Sequence, residues 1–211
     1  MANRSGMRDN RSCSRWDGRT WHIPDGFQQV ETMNVHVERL SRLVTPPEGV
    51  TRRTDWGGVT GELGVGLPSD YRDLMDTFGG GRVDGYLWVL EPRCSNRHYE
   101  LPRSVAERDE AFEMLWEGGE PKPVQLESPG ARVIPWASMD NGEYLYWFVE
   151  PGSRPDEWTV MVNEARGDWW ESFDVGCVEL LVQLLTGEVR SEILSSSFPL
   201  PVHEFRASGS F

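Results

Sequence analysis

Apolar residues recur at helical spacing in several parts of the chain and predict most of its helices. Met33, Val37, Leu40 and Val44 lie at i, i+4, i+7 and i+11 and therefore share one helical face. Similar spacing recurs in later segments, and prolines or glycines end several of these segments. Helices are predicted over residues 34–44, 55–63, 68–78, 103–116, 178–187 and 188–194.

The segments between the middle and last helices have the pattern of β-strands. Residues 143–149 are apolar on both faces, which is typical of a central strand, whereas residues 158–163 alternate apolar and polar side chains. Residues 140–142, Asp-Asn-Gly, favour a tight hairpin turn. Strands are predicted over residues 83–90, 132–136, 143–149, 158–163 and 169–173. Helices, then antiparallel strands, then helices predict an α+β fold with a mostly antiparallel sheet.

The two ends of the chain lack this patterning. Residues 1–32 contain five arginines and four acids but no apolar periodicity, so we interpret them as disordered or weakly ordered. An alternative is that translation starts at Met33 and that the preceding residues are an artefact. The predicted organisation is an N-terminal extension over residues 1–32, a domain over residues 33–200 and a C-terminal tail over residues 201–211.

Charge and composition narrow the classes of partner. The 211 residues include 34 Asp and Glu against 21 Lys and Arg, a formal net charge of -13. Such an excess of acids argues against nucleic acid or an anionic membrane as the main partner and suits a basic protein. No membrane span or secretory signal is recognisable, and three widely spaced cysteines form no disulfide framework, so we expect a cytoplasmic protein.

The sequence offers no recognisable catalytic or metal-binding motif. Its four histidines are scattered, and no nucleophile elbow, phosphate-binding loop or pair of nearby cysteines is present. We therefore predict no catalytic residues, no metal and no cofactor. A hydrolase that uses His98 and Glu100 remains the enzymatic alternative, and it requires a deep pocket around them.

An acidic stripe is the clearest candidate binding feature. Glu107, Glu110, Glu113 and Glu117 recur every three or four residues of the predicted helix over 103–116 and its end, so they follow one exposed side. They form either a solvated helix face or a docking surface for a basic partner. Four more acids in predicted turns and loops are candidates to extend the surface: Asp140, Glu143, Asp156 and Glu157. Asp140 has a structural alternative, which is capping its own turn.

Tryptophan supplies a second candidate contact. Most of the ten tryptophans lie on predicted elements and favour core packing. Trp169 and Trp170 are adjacent in a predicted strand, so they must point to opposite faces of the sheet. One of the two is a candidate hot spot for a protein partner, and we assign this role to Trp170.

Four stretches, in this order, resemble the SUKH superfamily, also described as the Smi–Knr cell-wall-assembly-regulator family. The first is a Leu-Gly-x-x-Leu-Pro-x-x-Tyr opening, and the second is the glycine-rich helix end at Phe78 to Gly81. The third is the turn from Asp140 to Tyr144, and the fourth is the leucine-rich helix ending in Thr186 and Gly187. The resemblance covers about residues 33–200. Its structural signature comprises Leu63, Gly64, Leu67, Pro68, Tyr71, Gly80 and Gly142.

This resemblance implies a non-enzymatic, single-domain binding scaffold. Bacterial members of the superfamily look mostly like immunity proteins that bind and block a cognate toxin domain, often a nuclease or a deaminase. We accordingly expect a monomer with a basic protein partner, and no nucleic acid or membrane partner. The alternative is a regulatory interaction scaffold resembling the fungal cell-wall assembly regulators.

Overall fold

Seven strands form one antiparallel sheet in the computed structural model, which describes residues 33–48, 54–164 and 167–211. The strand order is β6-β5-β4-β3-β2-β1-β7. The strands are β1 (Gly81–Val83), β2 (Leu87–Val89), β3 (Arg132–Met139), β4 (Tyr144–Val149), β5 (Thr159–Asn163), β6 (Trp170–Phe173) and β7 (Phe205–Ala207). The helices are α1 (Val35–Leu43), α2 (Trp56–Leu63), α3 (Ser69–Phe78), α4 (Leu101–Glu117) and α5 (Cys177–Thr186). The predicted α+β class with an antiparallel sheet is confirmed.

Alternation along the central strands gives the sheet two apolar faces. On one face, Leu145 and Trp147 of β4 join residues of α1, α3 and α5 in the main core. On the other face, Tyr146 of β4 and Met161 of β5 pack with Phe112 of α4 in a smaller cluster. Because neighbouring strand residues point in opposite directions, a strand that is apolar throughout must be covered on both sides, as predicted for residues 143–149.

The helix boundaries follow from polar caps and glycines. The Asn34 side chain accepts a hydrogen bond from the His36 N–H at 2.9 Å, and Asp55 accepts one from the Gly58 N–H at 3.0 Å. Both groups satisfy amides that have no partner inside the helix. Gly187 ends α5 at a φ of 74°, a conformation that favours glycine.

The signature residues have structural roles in this framework. Leu63 ends α2, and Gly64 follows it at a φ of 70°. Leu67 and Pro68 are buried where α3 begins, and Tyr71 is fully buried with its hydroxyl donating to the Leu90 carbonyl. The turn before β4 contains Gly142, at a φ of 101°. A Cβ at Gly80 would collide with the Glu91 side chain, so only glycine fits there.

The prediction of one strand over residues 83–90 was wrong, because this segment is a hairpin. Asp84 and Gly85 have φ values of 50° and 64°, and the Tyr86 N–H donates to the Val83 carbonyl at 3.0 Å. Two consecutive positive φ values make the tight turn that reverses the chain between β1 and β2. The Asp-Gly pair was the local signal for this turn, but it lay between strand-forming residues.

The short helix predicted over residues 188–194 is absent from the structure. The Ser191 hydroxyl accepts hydrogen bonds from the N–H groups of Ile193 and Leu194, both at 3.1 Å. A serine hydroxyl that satisfies nearby amides in this way offers the backbone an alternative to a helix.

The C-terminal residues, predicted to be a tail, extend the sheet instead. Phe205 pairs with Val83, so that β7 lies at the edge beside β1. The carboxylate of Asp84, with no exposed side-chain surface, accepts hydrogen bonds from the Leu200 and Glu204 N–H groups at 3.0 and 2.9 Å. His203 Nδ1 contacts the same carboxylate at 2.9 Å. The predicted N-terminal extension, residues 1–32, lies outside the described residues.

Candidate functional site

Helix α4, which carries the predicted acidic stripe, is the centre of the candidate site. The Glu100 side chain caps its first turn by accepting a hydrogen bond from the Arg103 N–H at 2.8 Å, and Pro102 fits the first turn. Phe112 anchors the helix on the sheet face that carries Tyr146 and Met161. The opposite side of α4 is therefore available to solvent.

The predicted stripe is exposed along the whole helix. Glu107 forms an ion pair with Arg103 at 2.6 Å. No ion pair connects Glu110, Glu113 or Glu117 with another residue in the described part of the chain. Met114, which follows Glu113 in the sequence, has 63% of its surface exposed. The exposed side of α4 thus carries three carboxylates without a described ion pair and one exposed apolar side chain.

Asp109 lies on α4 next to Glu110, and its carboxyl has a raised pKa. Partial burial raises the pKa of the Asp109 carboxyl above its usual value. The Arg132 guanidinium counters this effect, whereas the charge of Glu113 adds to it. Burial is therefore the main cause of the raised pKa, and the charge of Glu113 contributes less.

A groove of about 180 Å³, which we call the α4 groove, lies between the sheet-facing side of α4 and β6. Its lining includes Arg108, Phe112, Leu115, Trp116, Asn163 and Trp170. Phe112 stacks on Trp116 with ring centroids 4.9 Å apart, and Trp170 lies 5.7 Å from Phe112. Sequence spacing did not reveal the groove, because the sheet brings Trp170 beside α4.

The two adjacent tryptophans have different environments, as predicted, but the more exposed one is Trp169. Trp170 is half-buried in the cluster with Phe112 and Tyr146, and it lines the α4 groove. Trp169 keeps 45% of its surface exposed. The sequence could not choose between the two faces, since only packing against α4 distinguishes them.

The other predicted acids are engaged within the fold. Asp140 accepts hydrogen bonds from Trp88 Nε1 at 2.9 Å and from the Tyr99 hydroxyl at 3.4 Å, and Arg82 lies 3.7 Å away. Its structural role is therefore to tie neighbouring elements to its turn. Glu143, expected at a surface, is only 9% exposed and accepts a hydrogen bond from the Tyr86 hydroxyl at 3.4 Å.

Asp156 and Glu157 lie on the short 3-10 helix Pro155–Glu157. Asp156 accepts a hydrogen bond from the Ser69 N–H at 2.6 Å and so caps α3. Glu157 pairs with Arg154 at 2.7 Å, and the hydrogen bonds from Arg154 lower the pKa of its carboxyl. None of the hydrogen bonds or ion pairs described for these two acids, Asp140 or Glu143 leads to the stripe on α4.

A polar cavity of about 220 Å³ lies where α1, α3 and α5 begin. Asp70 accepts hydrogen bonds there from the Val178 N–H at 3.1 Å and from the Cys177 thiol at 3.4 Å. Burial raises the pKa of Asp70, and burial together with the charge of Asp70 raises that of Cys177 well above its usual value. The thiol therefore stays protonated and is a poor nucleophile.

His98 and Glu100, the residues of the enzymatic alternative, have other positions and contacts in the structure. His98 is exposed, and Glu100 is used to cap α4 and to accept a hydrogen bond from the Arg93 N–H at 3.0 Å. Neither residue lines the α4 groove or the polar cavity. The described ranges also contain no group of three or more His, Cys, Asp or Glu side chains that could hold a metal ion.

Comparisons with known proteins give one family match. The family model SUKH_6, described as SMI1-KNR4 cell-wall, matches residues 55–174, a span from α2 to the end of β6 that includes α4 and the central strands. No curated protein and no solved structure matches the chain. None of the helices in the described ranges combines the length and apolar character needed to cross a membrane.

Proposed function

The chain belongs to the SUKH superfamily, in the family described as SMI1-KNR4 cell-wall, and from this premise we propose that it is a bacterial immunity protein. In this role it binds a cognate toxin domain of the nuclease or deaminase type and blocks it, without catalysis of its own. It acts as a monomer in the cytoplasm. The thiols of Cys94 and Cys177, which are both free and buried, are compatible with a reducing compartment.

One observation carries the proposal, namely the exposed stripe of unpaired carboxylates on α4. A nuclease binds a polyanionic substrate, so its substrate-binding cleft is basic. Glu110, Glu113 and Glu117 offer a line of negative charge to such a cleft, and the net charge of -13 adds a long-range attraction. Attraction of this kind raises the association rate and falls with ionic strength.

The biological test is co-expression with the products of neighbouring genes. We expect one neighbour to be toxic when expressed alone, to be harmless in the presence of this protein and to form a one-to-one complex with it. Absence of any toxic or bound neighbour would refute the proposal. Several weak partners without a toxic neighbour would instead favour the regulatory scaffold.

The physical test changes the stripe in that complex. We expect Glu110→Gln, Glu113→Gln and Glu117→Gln together to lower the association rate constant about tenfold or more at low salt, because charge pairs steer encounter. A control variant removes the same charge elsewhere, with Glu62→Gln, Glu127→Gln and Glu150→Gln, three exposed acids outside α4. Stopped-flow association over a salt series measures both variants, and equal effects would show that only the net charge matters.

A further inference from the structure

Strand β6 is one edge of the sheet, and half of its backbone hydrogen-bonding groups point away from the other strands. Within the described part of the chain, β6 pairs with β5 and with no other strand. The Glu164 N–H donates to the Trp169 carbonyl at 3.3 Å, so the odd-numbered residues of β6 direct their backbone N–H and C=O groups towards β5. Alternate residues face opposite sides of a strand, so the backbone groups of Trp170 and Ser172 point outward.

The side chains of β6 divide between the two faces of the sheet. Trp170 packs with Phe112 of α4, and Ser172 shares that face because side chains alternate along a strand. Glu171 and Phe173 lie on the opposite face, where Phe173 packs against the main core. A strand added beside β6 would present its own side chains to both faces in the same alternation.

The charged side chains along residues 167–174 are all acidic. Asp168 and Asp174 are exposed just outside the two ends of β6, and Glu171 lies inside it. These three acids form no ion pair with the described residues, and Oε2 of Glu171 is buried there without a hydrogen-bond partner. Because like charges on facing strands destabilise a strand pair, this edge disfavours a second copy of β6 and favours a strand with lysine or arginine.

The opposite edge of the sheet, β7, has a different charge pattern. The Ser208 N–H donates to the Gly80 carbonyl at 2.8 Å across the pair of β1 and β7, so the neighbouring Ala207 directs its N–H outward. The Arg206 guanidinium lies 3.3 Å from the Glu204 carboxylate, so the two charges of this edge neutralise each other. β7 therefore offers outward backbone groups without an excess of negative charge.

The position of the basic residue on an added strand follows from the two faces of β6. On the α4 face, Arg108 and Lys122 lie against aromatic rings beside the α4 groove, which Trp170 also lines. These two cations disfavour a further cation on that face. Glu171 lies on the other face, so the lysine or arginine is expected opposite Glu171, with uncharged side chains opposite Trp170 and Ser172.

We propose that the outer edge of β6 binds an extended strand of the basic partner, with lysine or arginine opposite Glu171. The strand runs antiparallel, as all the described strand pairs of the sheet do. Main-chain hydrogen bonds to Trp170 and Ser172 hold it, and its side chains give specificity. Trp169, 45% exposed just before β6, adds aromatic surface at one end. This inference rests on the proposed function, since it names the part of the same partner that is bound.

The test uses three short peptides and the full chain, with no toxin. The peptides are acetylated and amidated Val-Lys-Val-Lys-Val, Val-Glu-Val-Glu-Val, and the first sequence with all three valines N-methylated, which removes the donors that face β6. Titrations are followed by the backbone amide signals of Trp170 and Ser172 in two-dimensional NMR spectra. We expect Val-Lys-Val-Lys-Val to shift both signals and to bind about fivefold or more tightly than the other two, because only it has both the donors and the opposite charge.

Proline variants at the two edges complete the test. Ser172→Pro removes an outward N–H from β6, a position where an edge strand tolerates proline, and we expect binding of Val-Lys-Val-Lys-Val to weaken about tenfold or more. Ser172→Ala keeps this N–H and removes only the hydroxyl, so its binding should be unchanged. Ala207→Pro removes an outward N–H from β7, where the φ of -60° suits proline, and should also leave binding unchanged.

Several results would overturn the inference. Equal binding of the N-methylated peptide would exclude strand pairing, and equal binding of Val-Glu-Val-Glu-Val would show that charge does not select the strand. Shifts of the Ala207 amide as large as those at Trp170 would make β6 no different from any free edge. A dimer in light scattering that Ser172→Pro dissociates would make a second copy the occupant.

Two further comparisons keep the test decisive. If Ser172→Pro does not fold, the N-methylated peptide answers the same question with the unchanged protein. If Val-Lys-Val-Lys-Val causes no shift at its highest soluble concentration but a neighbouring toxin still binds, only the strand-binding edge is refuted. Bound peptide without any toxic neighbour would refute the immunity role alone.

Discussion

Asp84→Ala is the substitution that most directly tests how β7 is held. The Asp84 carboxylate is completely buried and accepts hydrogen bonds from the Leu200 and Glu204 amides, and His203 contacts it as well. All three contacts lead to the segment that precedes β7. Loss of the carboxylate therefore removes the attachment of one edge of the sheet and leaves two amides without their acceptor.

The expected loss in the free energy of unfolding follows from these contacts. A hydrogen bond to a charged group contributes about 1.5–3 kcal/mol. The carboxylate is buried but the three donor residues are partly exposed, so we count about 1 kcal/mol for each of the three hydrogen bonds. The φ of 50° adds about 1 kcal/mol for alanine, which tolerates this conformation poorly. We expect Asp84→Ala to lower the free energy of unfolding by about 4 kcal/mol.

Asp84→Asn separates the contribution of the hydrogen bonds from that of the positive φ. Asparagine adopts a positive φ readily and retains one acceptor oxygen, so we expect a loss of about 1–2 kcal/mol. The control is Asp174→Asn, which changes an exposed aspartate and should alter stability by less than about 0.5 kcal/mol. Urea unfolding followed by tryptophan fluorescence gives the free energies of unfolding.

Hydrogen exchange identifies where the stability is lost. The Asp84 and Ser208 amides donate across the β1–β7 junction to the Glu204 and Gly80 carbonyls at 2.9 and 2.8 Å. In Asp84→Ala we expect both amides to exchange faster than those of β4, since the edge opens separately from the core. An Asp84→Ala protein with unchanged unfolding free energy and unchanged protection of these amides would refute this account of the edge.

Three further substitutions, with Gly61→Ala as a control, test the core, the β1–β7 contact and the polar cavity. Tyr71→Phe should cost about 1–2 kcal/mol in urea unfolding, because the buried hydroxyl donates to the Leu90 carbonyl. Gly81→Ala should cost more than about 2 kcal/mol, because a Cβ there would collide with the β7 backbone, whereas Gly61→Ala, with open space around it on α2, should be neutral or stabilising. Burial raises the pKa of Asp70 in the folded state, so its contribution to stability is present at low pH and is lost as the pH rises through the raised pKa. Asp70→Asn should therefore reduce this fall in stability, and an unchanged difference between the two proteins across a pH series of urea titrations would contradict the assignment.

The sequence predicted those helices and strands whose apolar pattern extends over several residues. The apolar repeats of α1, α3 and α5 and the two-sided apolar run of β4 each involve several residues, and the structure contains all four elements. The hairpin at Asp84 and the strand β7 were missed, because each depends on two or three residues. Their pairing is decided by distant parts of the chain.

The candidate site likewise has one part that the sequence predicts and other parts that it does not. The stripe on α4 follows from residue spacing along one helix, so sequence alone could place it. The α4 groove requires Trp116 of α4 and Trp170 of β6 to lie around the same space, and no local pattern encodes this arrangement. Likewise, the internal roles of Asp140 and Asp156 depend on Trp88 and Ser69, which are remote in sequence.

The position of β7 also has a consequence for the order in which the protein is made. Asp84 and Glu204, which bring β1 and β7 together, are 120 residues apart in the sequence. A growing chain therefore completes the six strands from β1 to β6, together with α5, while β1 is still an unpaired edge. Such an edge can recruit a strand from another nascent chain. Translation of residues 200–207 is thus the step that closes this route to aggregation, and ribosomes stalled before it should yield the most aggregation-prone product.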